Sequence, residues 1–196
     1  MEVIMGTTQP IKSKDDIQRL KDYFLQRGEI RNYTMITLAL NTSLRIGDLL
    51  GLRWKDVYNF DTQKYKMHIV VREQKTHKQN LIPLNIEAKG SLDLLMRSLE
   101  DLDPDMCIFK SRIGENQHIG RTRAFNIIKN AVKELHIEGS ISCHSLRKTF
   151  GYQAWKMGVP PALIMSIYNH SSLEITKRYL SIDQDDKDEV FLNMNL

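Results

Sequence analysis

The sequence predicts an α+β fold, mainly helical, in which a small antiparallel sheet interrupts a run of helices. Three observations predict it. Apolar residues recur at helical spacing through most of the chain from residue 13 onward. The period switches to strand-like alternation only between about residues 57 and 83. Several helical stretches begin at capping residues, such as Ser13, Asn85 and Ser142, and some stop at Gly or Pro, such as Gly28 and Gly158. At 196 residues and 41% hydrophobic content, the chain is long enough to bury one well-packed core.

Ser13 is placed to cap a helix that begins at Lys14, with Asp16 in its first turn, Ile17, Leu20 and Phe24 on one face, and Gly28 at its end. A second helix, over 29–42, carries Met35, Ile36, Leu38 and Leu40 and reads as core. Arg45 follows at a turn that opens a short helix over 46–51. Segments 57–60, 65–73 and 80–83 read as strands, with turns at Asp61-Thr62 and Thr76-His77-Lys78, and predict a three-stranded antiparallel sheet. Lys75 falls at the turn between the second and third strands.

Helices then return. Asn85 caps one that runs to about residue 100, and Asp103-Pro104-Asp105 breaks the chain. Cys107, Ile108 and Phe109 read as buried, and 121–135 as an amphipathic helix. Ser142 caps a helix through Met157 with Leu146, Phe150, Ala154 and Met157 as its core stripe, stopped by Gly158. Pro160 or Pro161 begins another, ending near Tyr168. Ser171-Ser172-Leu173-Glu174 reads as a capping box for the helix that carries Tyr179. No repeat or low-complexity linker divides the chain, so 1–182 reads as one domain. Residues 183–196 read as an acidic and apolar tail that can form a last amphipathic helix closing over the domain's own core.

The net charge of +4 understates how basic the body is. Segment 183–189 holds five acids and one base, which leaves 27 bases against 19 acids, a net +8, elsewhere. A basic body with a segregated acidic tail fits a polyanionic partner such as nucleic acid. Apolar runs such as Ala162-Leu163-Ile164-Met165 are too short for a membrane span, and the first residues lack the pattern of a secretory signal. Cys107 and Cys143 have no metal-type spacing, so a reducing cytoplasmic setting, associated with DNA, is expected.

The chemistry concentrates near the C-terminus. His144 and Arg147, three residues apart, leave the same helix face, so one phosphate can touch both. Arginine suits that task because its planar fork matches two phosphate oxygens and it stays protonated. Arg45 offers a second such fork, with Asp48 on the same face to hold it. His170 precedes a helix start, where free backbone N–H groups favour anions. Tyr179 is then the candidate nucleophile, and Lys75 on its hairpin turn can protonate a leaving hydroxyl. Fixed cations aimed at a phosphoryl group stabilise the charge that develops when such a nucleophile attacks. A zinc site built from Cys143, His144 and His170 fails, because adjacent residues rarely bind one ion and no fourth ligand is placed. A Cys143–His144 dyad fails because neighbouring side chains diverge on a helix.

Four segments resemble the catalytic domain of the tyrosine recombinases, the phage-integrase family. They are Thr42-Ser43-Leu44-Arg45-Ile46-Gly47-Asp48-Leu49, the Lys75 hairpin ending Leu81-Ile82-Pro83-Leu84, His144-Ser145-Leu146-Arg147-Lys148-Thr149-Phe150, and Asn169-His170 through Arg178-Tyr179. They occur in the family's order across 13–182. The resemblance implies a fold of the DNA breaking-rejoining type and a site-specific recombinase that acts on double-stranded DNA. Arg45, Arg147 and His170 would bind the scissile phosphate, and Tyr179 would form a 3′-phosphotyrosine. Lys75 would be the general acid, and His144 would assist proton transfer. It further implies no metal and no nucleotide cofactor, tetramer assembly on DNA, room for directionality or accessory proteins, and packing of the tail 183–196 into a neighbouring copy as the alternative to its own core. Two positions depart from the pattern: Tyr168-Asn169 stands where the family usually has Leu-Gly, and Lys148 where histidine is common. Asparagine tolerates the left-handed conformation, so the turn before His170 is expected to survive. Nothing before Ser13 supplies the family's N-terminal core-binding domain, which is expected to be absent from this chain.

Overall fold

Helix α1 (Lys14–Gln26) starts where the Ser13 side chain accepts a 3.1 Å hydrogen bond from Asp16 N, and it buries Leu20 and Phe24. In this computed structural model, which describes residues 8–72 and 79–194, α1 leads into α2 (Ile30–Thr42). Helix α2 is buried on nearly every side, as a central helix of an all-round core must be. Its threonines stay satisfied: Thr34 Oγ1 donates within reach of the Ile30 and Ser91 carbonyls, and Thr42 Oγ1 donates to Leu38 O. The helix ends at Ser43 in the left-handed region, φ 52°, which redirects the chain so that Arg45 caps α3 (Ile46–Leu50).

The middle of the chain differs from the predicted single sheet. Asp56 Oδ2 accepts from Arg53 N at 2.7 Å and closes a helical turn, α4 (Trp54–Val57), that buries Trp54 and Val57. Only β1 (Tyr58–Asn59) is then left to pair with β2 (Lys64–Tyr65). The chain breaks at Lys66-Met67, whose backbone groups bond to Val57 O and Leu84 N instead. A second antiparallel ladder joins β3 (His68–Arg72) to β4 (Gln79–Pro83), with His68 opposite Pro83 and Arg72 opposite Gln79. Among the described residues the sheet is therefore two two-stranded ladders rather than one of three strands. The turn with Lys75 lies outside the described residues.

Asn85 caps α5 (Ile86–Arg97), which packs across α2. Cys107, Ile108 and Phe109 are buried as expected, and α6 (Arg121–Glu134) buries Ala124, Ile127, Ile128 and Ala131. Helix α7 (Cys143–Lys156) lies between α2 on one side and α8 (Pro161–Tyr168) and α9 (Leu173–Leu180) on the other. That sandwich changes the expected stripe. Leu146 joins the main core and Phe150 and Ala154 pack on a second cluster, but Met157, at the helix end, is 77% exposed. The second cluster, Ile164, Tyr168 and Leu180, forms the bed on which Tyr179 rests. The cap of α9 falls one residue later than the predicted box: Ser172 accepts from Ile175 N at 3.3 Å.

Asp183 and Asp186 cap each other's backbone at the start of α10 (Gln184–Asn193). Asp186 is 4% exposed and accepts from Tyr152 Oη at 2.5 Å and Lys12 Nζ at 2.8 Å. These partners satisfy a carboxylate that would otherwise be costly to bury. The tail thus docks on its own domain by its acidic edge. Its apolar residues, Val190, Phe191, Leu192 and Met194, are all more than half exposed and do not close over this core.

Candidate active site

Arg147 leaves α7 in its second turn and is 5% exposed. Its guanidinium donates to the carbonyl of Ser43, the left-handed residue that ends α2. That bond fastens the α7 arginine to the turn that presents Arg45 two residues later. Arg45, Asp48, His144 and Arg147 line one cleft of about 440 Å³, with Arg121, Phe125 and Cys143 on its walls. Arg121 reaches this cleft by passing close over Gly47, where any Cβ would meet its guanidinium. Cys143 is held as a thiol, since burial pushes its pKa up to about 11.

His170 and Tyr179 approach from the α8–α9 side. Helix α8 ends at Asn169 with φ 56°, so asparagine adopts the left-handed turn expected of it. His170 follows, and its Nδ1 lies 3.0 Å from Thr176 Oγ1. That hydroxyl's own hydrogen points at Ser172 O, 3.2 Å away, so its lone pair accepts from Nδ1–H. In the neutral ring Nε2 then carries the free lone pair. Burial lowers the His170 pKa, and the charges of Arg147 and Arg45 lower it further.

The Tyr179 ring sits among aromatic neighbours: His170 at 4.8 Å, Tyr168 at 4.9 Å and His144 at 5.2 Å between centroids. Its hydroxyl is buried and makes no well-formed hydrogen bond among the described residues. Burial raises its pKa, and the approach of Arg147 and the charge of Arg45 oppose that rise. Both guanidiniums are therefore electrostatically felt at the phenol oxygen. Five of the six predicted site residues (Arg45, His144, Arg147, His170 and Tyr179) come together, with Asp48 in the same cleft. Lys75, the sixth, lies outside the described residues.

Four residues of this cluster have no site role in the sequence reading, although Tyr168 and Lys148 stand out there as departures from the family pattern. Tyr168 stacks on His170 at 5.2 Å and 29°, and lies 4.8 Å under the Arg147 guanidinium. Its position beside Asn169-His170 was the available signal. Lys148 is buried, donates to Thr8 O at 2.5 Å and sits 5.3 Å over the Tyr179 ring. Thr176 orients His170, and Arg121 adds charge to the cleft wall. No local periodicity marks either one.

A helical fold that gathers cations around a buried phenol in this way places the chain in the class of the tyrosine recombinases. The chain belongs to the phage integrase family, whose sequence model matches residues 12–185. It is 35% identical over 181 residues to the probable integrase/recombinase YoeC of Bacillus subtilis (strain 168), covering 92% of this chain and 93% of that protein. It is 25% identical over 175 residues to a tyrosine recombinase of Thermosipho africanus (strain TCF52B), 89% of this chain but 58% of the relative. Beside relatives of that kind the chain spans little more than half their length. The crystal structure of XerH site-specific recombinase bound to a palindromic difH substrate, a post-cleavage complex, matches with a TM-score of 0.72 at 17% identity. The match covers 98% of this chain and 55% of that one, and at this identity it speaks for the fold.

Proposed function

We propose that this chain cuts and rejoins double-stranded DNA by transesterification through Tyr179. The observation that carries the reading is the convergence of Arg45, His144, Arg147 and His170 on the Tyr179 phenol from separate segments of the chain. Each arginine fork is suited to two non-bridging oxygens of one phosphate, and together they offset the charge gained on attack. The arriving phosphate also favours the protonated form of His170, whose Nε2 then donates a third hydrogen bond.

In the forward step the Tyr179 oxygen bonds to phosphorus and the 5′-oxygen leaves. The phenol proton passes toward His144, whose ring meets the Tyr179 ring edge-on, and the departing 5′-oxygen takes a proton from Lys75. The product is a 3′-phosphotyrosine ester and a free 5′-hydroxyl. Attack by a 5′-hydroxyl of a second duplex reverses the chemistry and exchanges strands. Charge neutralisation is assigned to the protein cations, with no metal or nucleotide in the reaction. Asp48 is assigned to holding Arg45.

Self-association on DNA is part of the proposal. The exposed apolar edge of α10, Val190, Phe191, Leu192 and Met194, supports it, because a surface of that kind is suited to a protein neighbour. The test is a duplex nicked near the cleavage point, which traps the covalent adduct by losing the short strand. Wild-type protein on its own recombination site accumulates a protein–DNA adduct, and Tyr179→Phe accumulates none. Absence of adduct from the wild-type chain on that site refutes the reading.

A further inference from the structure

Lys148 follows Arg147 on α7, so its side chain leaves the helix in a different direction from the guanidinium. It is 6% exposed and lies outside the set of described residues that line the catalytic cleft. Burial alone draws its pKa down, with no carboxylate among the described residues to oppose it. What it meets instead is one carbonyl and one ring: Nζ donates to Thr8 O at 2.5 Å and sits 5.3 Å from the centroid of the Tyr179 ring. We propose that Lys148 is a positioning residue for Tyr179, whose ammonium fixes the ring and stabilises the phenolate that attacks phosphorus. The proposal rests on the reading of Tyr179 as the nucleophile.

An ammonium is costly to bury without an opposite charge, so its surroundings have to offset that cost. The face of a phenol ring is the negative side of its quadrupole and attracts a cation placed over it. The attraction grows when the phenol loses its proton, because the phenolate charge spreads into the ring. Lys148 thereby gains a counter-ion at the moment Tyr179 becomes a nucleophile. The titratable and charged groups facing Tyr179 are His144, Arg147 and Lys148 from α7, Tyr168 from the end of α8, His170 after it, and Arg45 before α3. The two arginines also favour the phenolate, but they line the cleft, where an arriving phosphate engages both. Lys148, buried outside the cleft, keeps its charge for the phenol.

The chain before α1 holds Lys148 in this place. Gln9 N donates to Ser140 O at 3.1 Å, Ile11 N donates to Thr149 Oγ1 at 2.8 Å, and Gln153 Nε2 donates to Lys12 O at 2.8 Å. These bonds lay residues 8–12 along α7 as a strap and set the Thr8 carbonyl at Lys148. An ammonium anchored at Thr8 O in turn restrains the ring that it covers, which a freely mobile lysine could not do. Lysine also stands here in place of the family's common histidine, whose charge is lost near neutral pH.

The test uses Lys148→Met, which keeps the apolar stem and loses the charge, and Lys148→Arg, which keeps a cation. Gln153→Met loosens the strap without touching the ring. Each chain is followed by ultraviolet titration of Tyr179 in the free protein, read as the difference from the matching Tyr179→Phe chain. The rate of adduct formation on the nicked duplex is measured in parallel as a function of pH. Both are read well below each chain's melting temperature, so a loss of stability does not mimic the effect. Lys148→Met is expected to raise the alkaline transition of Tyr179 by about one pH unit and to slow adduct formation about tenfold at neutral pH. The deficit closes as pH rises, since a higher pH restores the phenolate. Lys148→Arg returns the transition and the pH profile toward wild type, and Gln153→Met keeps both. An unmoved Tyr179 transition in Lys148→Met overturns the proposal. So does a deficit that is the same at every pH, the mark of a lysine that only packs, and so does an equal shift in Gln153→Met. If the wild type forms no adduct yet the transition moves as stated, the catalytic reading falls and the hold of Lys148 on the phenol stands.

Discussion

The hydroxyl of Tyr168 donates a 2.6 Å hydrogen bond to the backbone carbonyl of Arg147, 21 positions earlier, while the Tyr168 ring lies under the Arg147 guanidinium. One buried side chain thus holds the arginine from both ends and spaces it from His170 and Tyr179. Gly151 makes room for it, since a Cβ there would meet the Tyr168 hydroxyl. The departure from the family's usual Leu-Gly pair is therefore structural in effect: tyrosine fills the leucine position and ties α8 to α7.

Removing this tie has graded consequences. Tyr168→Phe keeps the ring and loses the hydrogen bond, costing about 1 kcal/mol in urea denaturation with modest loss of adduct. Tyr168→Leu also loses the face beneath Arg147 and lowers adduct formation further. Gly151→Ala overpacks the site and costs about 1–3 kcal/mol. Combining Gly151→Ala with Tyr168→Leu removes the part of the clash made with Tyr168, leaving that with Leu180, so the double variant is more stable than additivity predicts.

Arg147→Lys keeps a charge but loses the fork. Adduct formation is expected to fall by about 10²–10³-fold, the usual cost of removing a donor aimed at developing negative charge. Arg147→Gln removes the charge as well, and Tyr179 then titrates at still higher pH, because one of the two guanidiniums opposing its burial is gone. Ultraviolet titration of the tyrosines against a Tyr179→Phe control checks this. An unmoved alkaline transition would show that Arg147 does not act on the phenol.

His170 links stability to pH. Its folded pKa lies below the ordinary value of 6.5, so the unfolded chain takes up the proton first. Its contribution is fully present above pH 6.5 and is lost as pH falls below 6.5 toward the folded pKa. His170→Gln flattens the stability difference between pH 7.5 and pH 5 relative to wild type. Bound DNA reverses the shift, which nuclear magnetic resonance of the His170 ring reports as a higher pKa in the complex.

Asp186 fastens the tail. Its pKa is held below the usual carboxylate value by Lys12, Tyr152 and the Asp183 backbone, against the opposing effect of burial. The stability it contributes is present above the unfolded carboxylate pKa and is lost as pH falls through the lower folded value. Asp186→Ala is expected to cost about 1–3 kcal/mol and to release α10. Limited trypsin digestion then cuts at Lys187 much faster than in wild type, and equal cleavage rates would refute the latch.

Local signals were legible wherever their cause lies within one helical turn. Ser13, Asn85 and Ser142 cap their helices as predicted because a hydroxyl or amide oxygen needs only the next few N–H groups. Asn169 takes its left-handed turn for an equally local reason. The order and spacing of Arg45, His144, Arg147, His170 and Tyr179 were likewise written in the chain, and they carried the family. Tertiary structure decided what depends on distant partners. Asp56 drew Val57 into a helical turn and shortened the first strand, the backbone bonds of Lys66 and Met67 to Val57 and Leu84 split the expected sheet, and burial on both flanks of α7 left Met157 outside. Docking of Asp186 on Tyr152 and Lys12 turned the apolar edge of the tail to solvent. The opposing shifts of the His170 and Tyr179 pKa values, and the buried ammonium of Lys148 at the Tyr179 ring, arise from burial and from charges brought together by folding. Neighbours in sequence could not supply them.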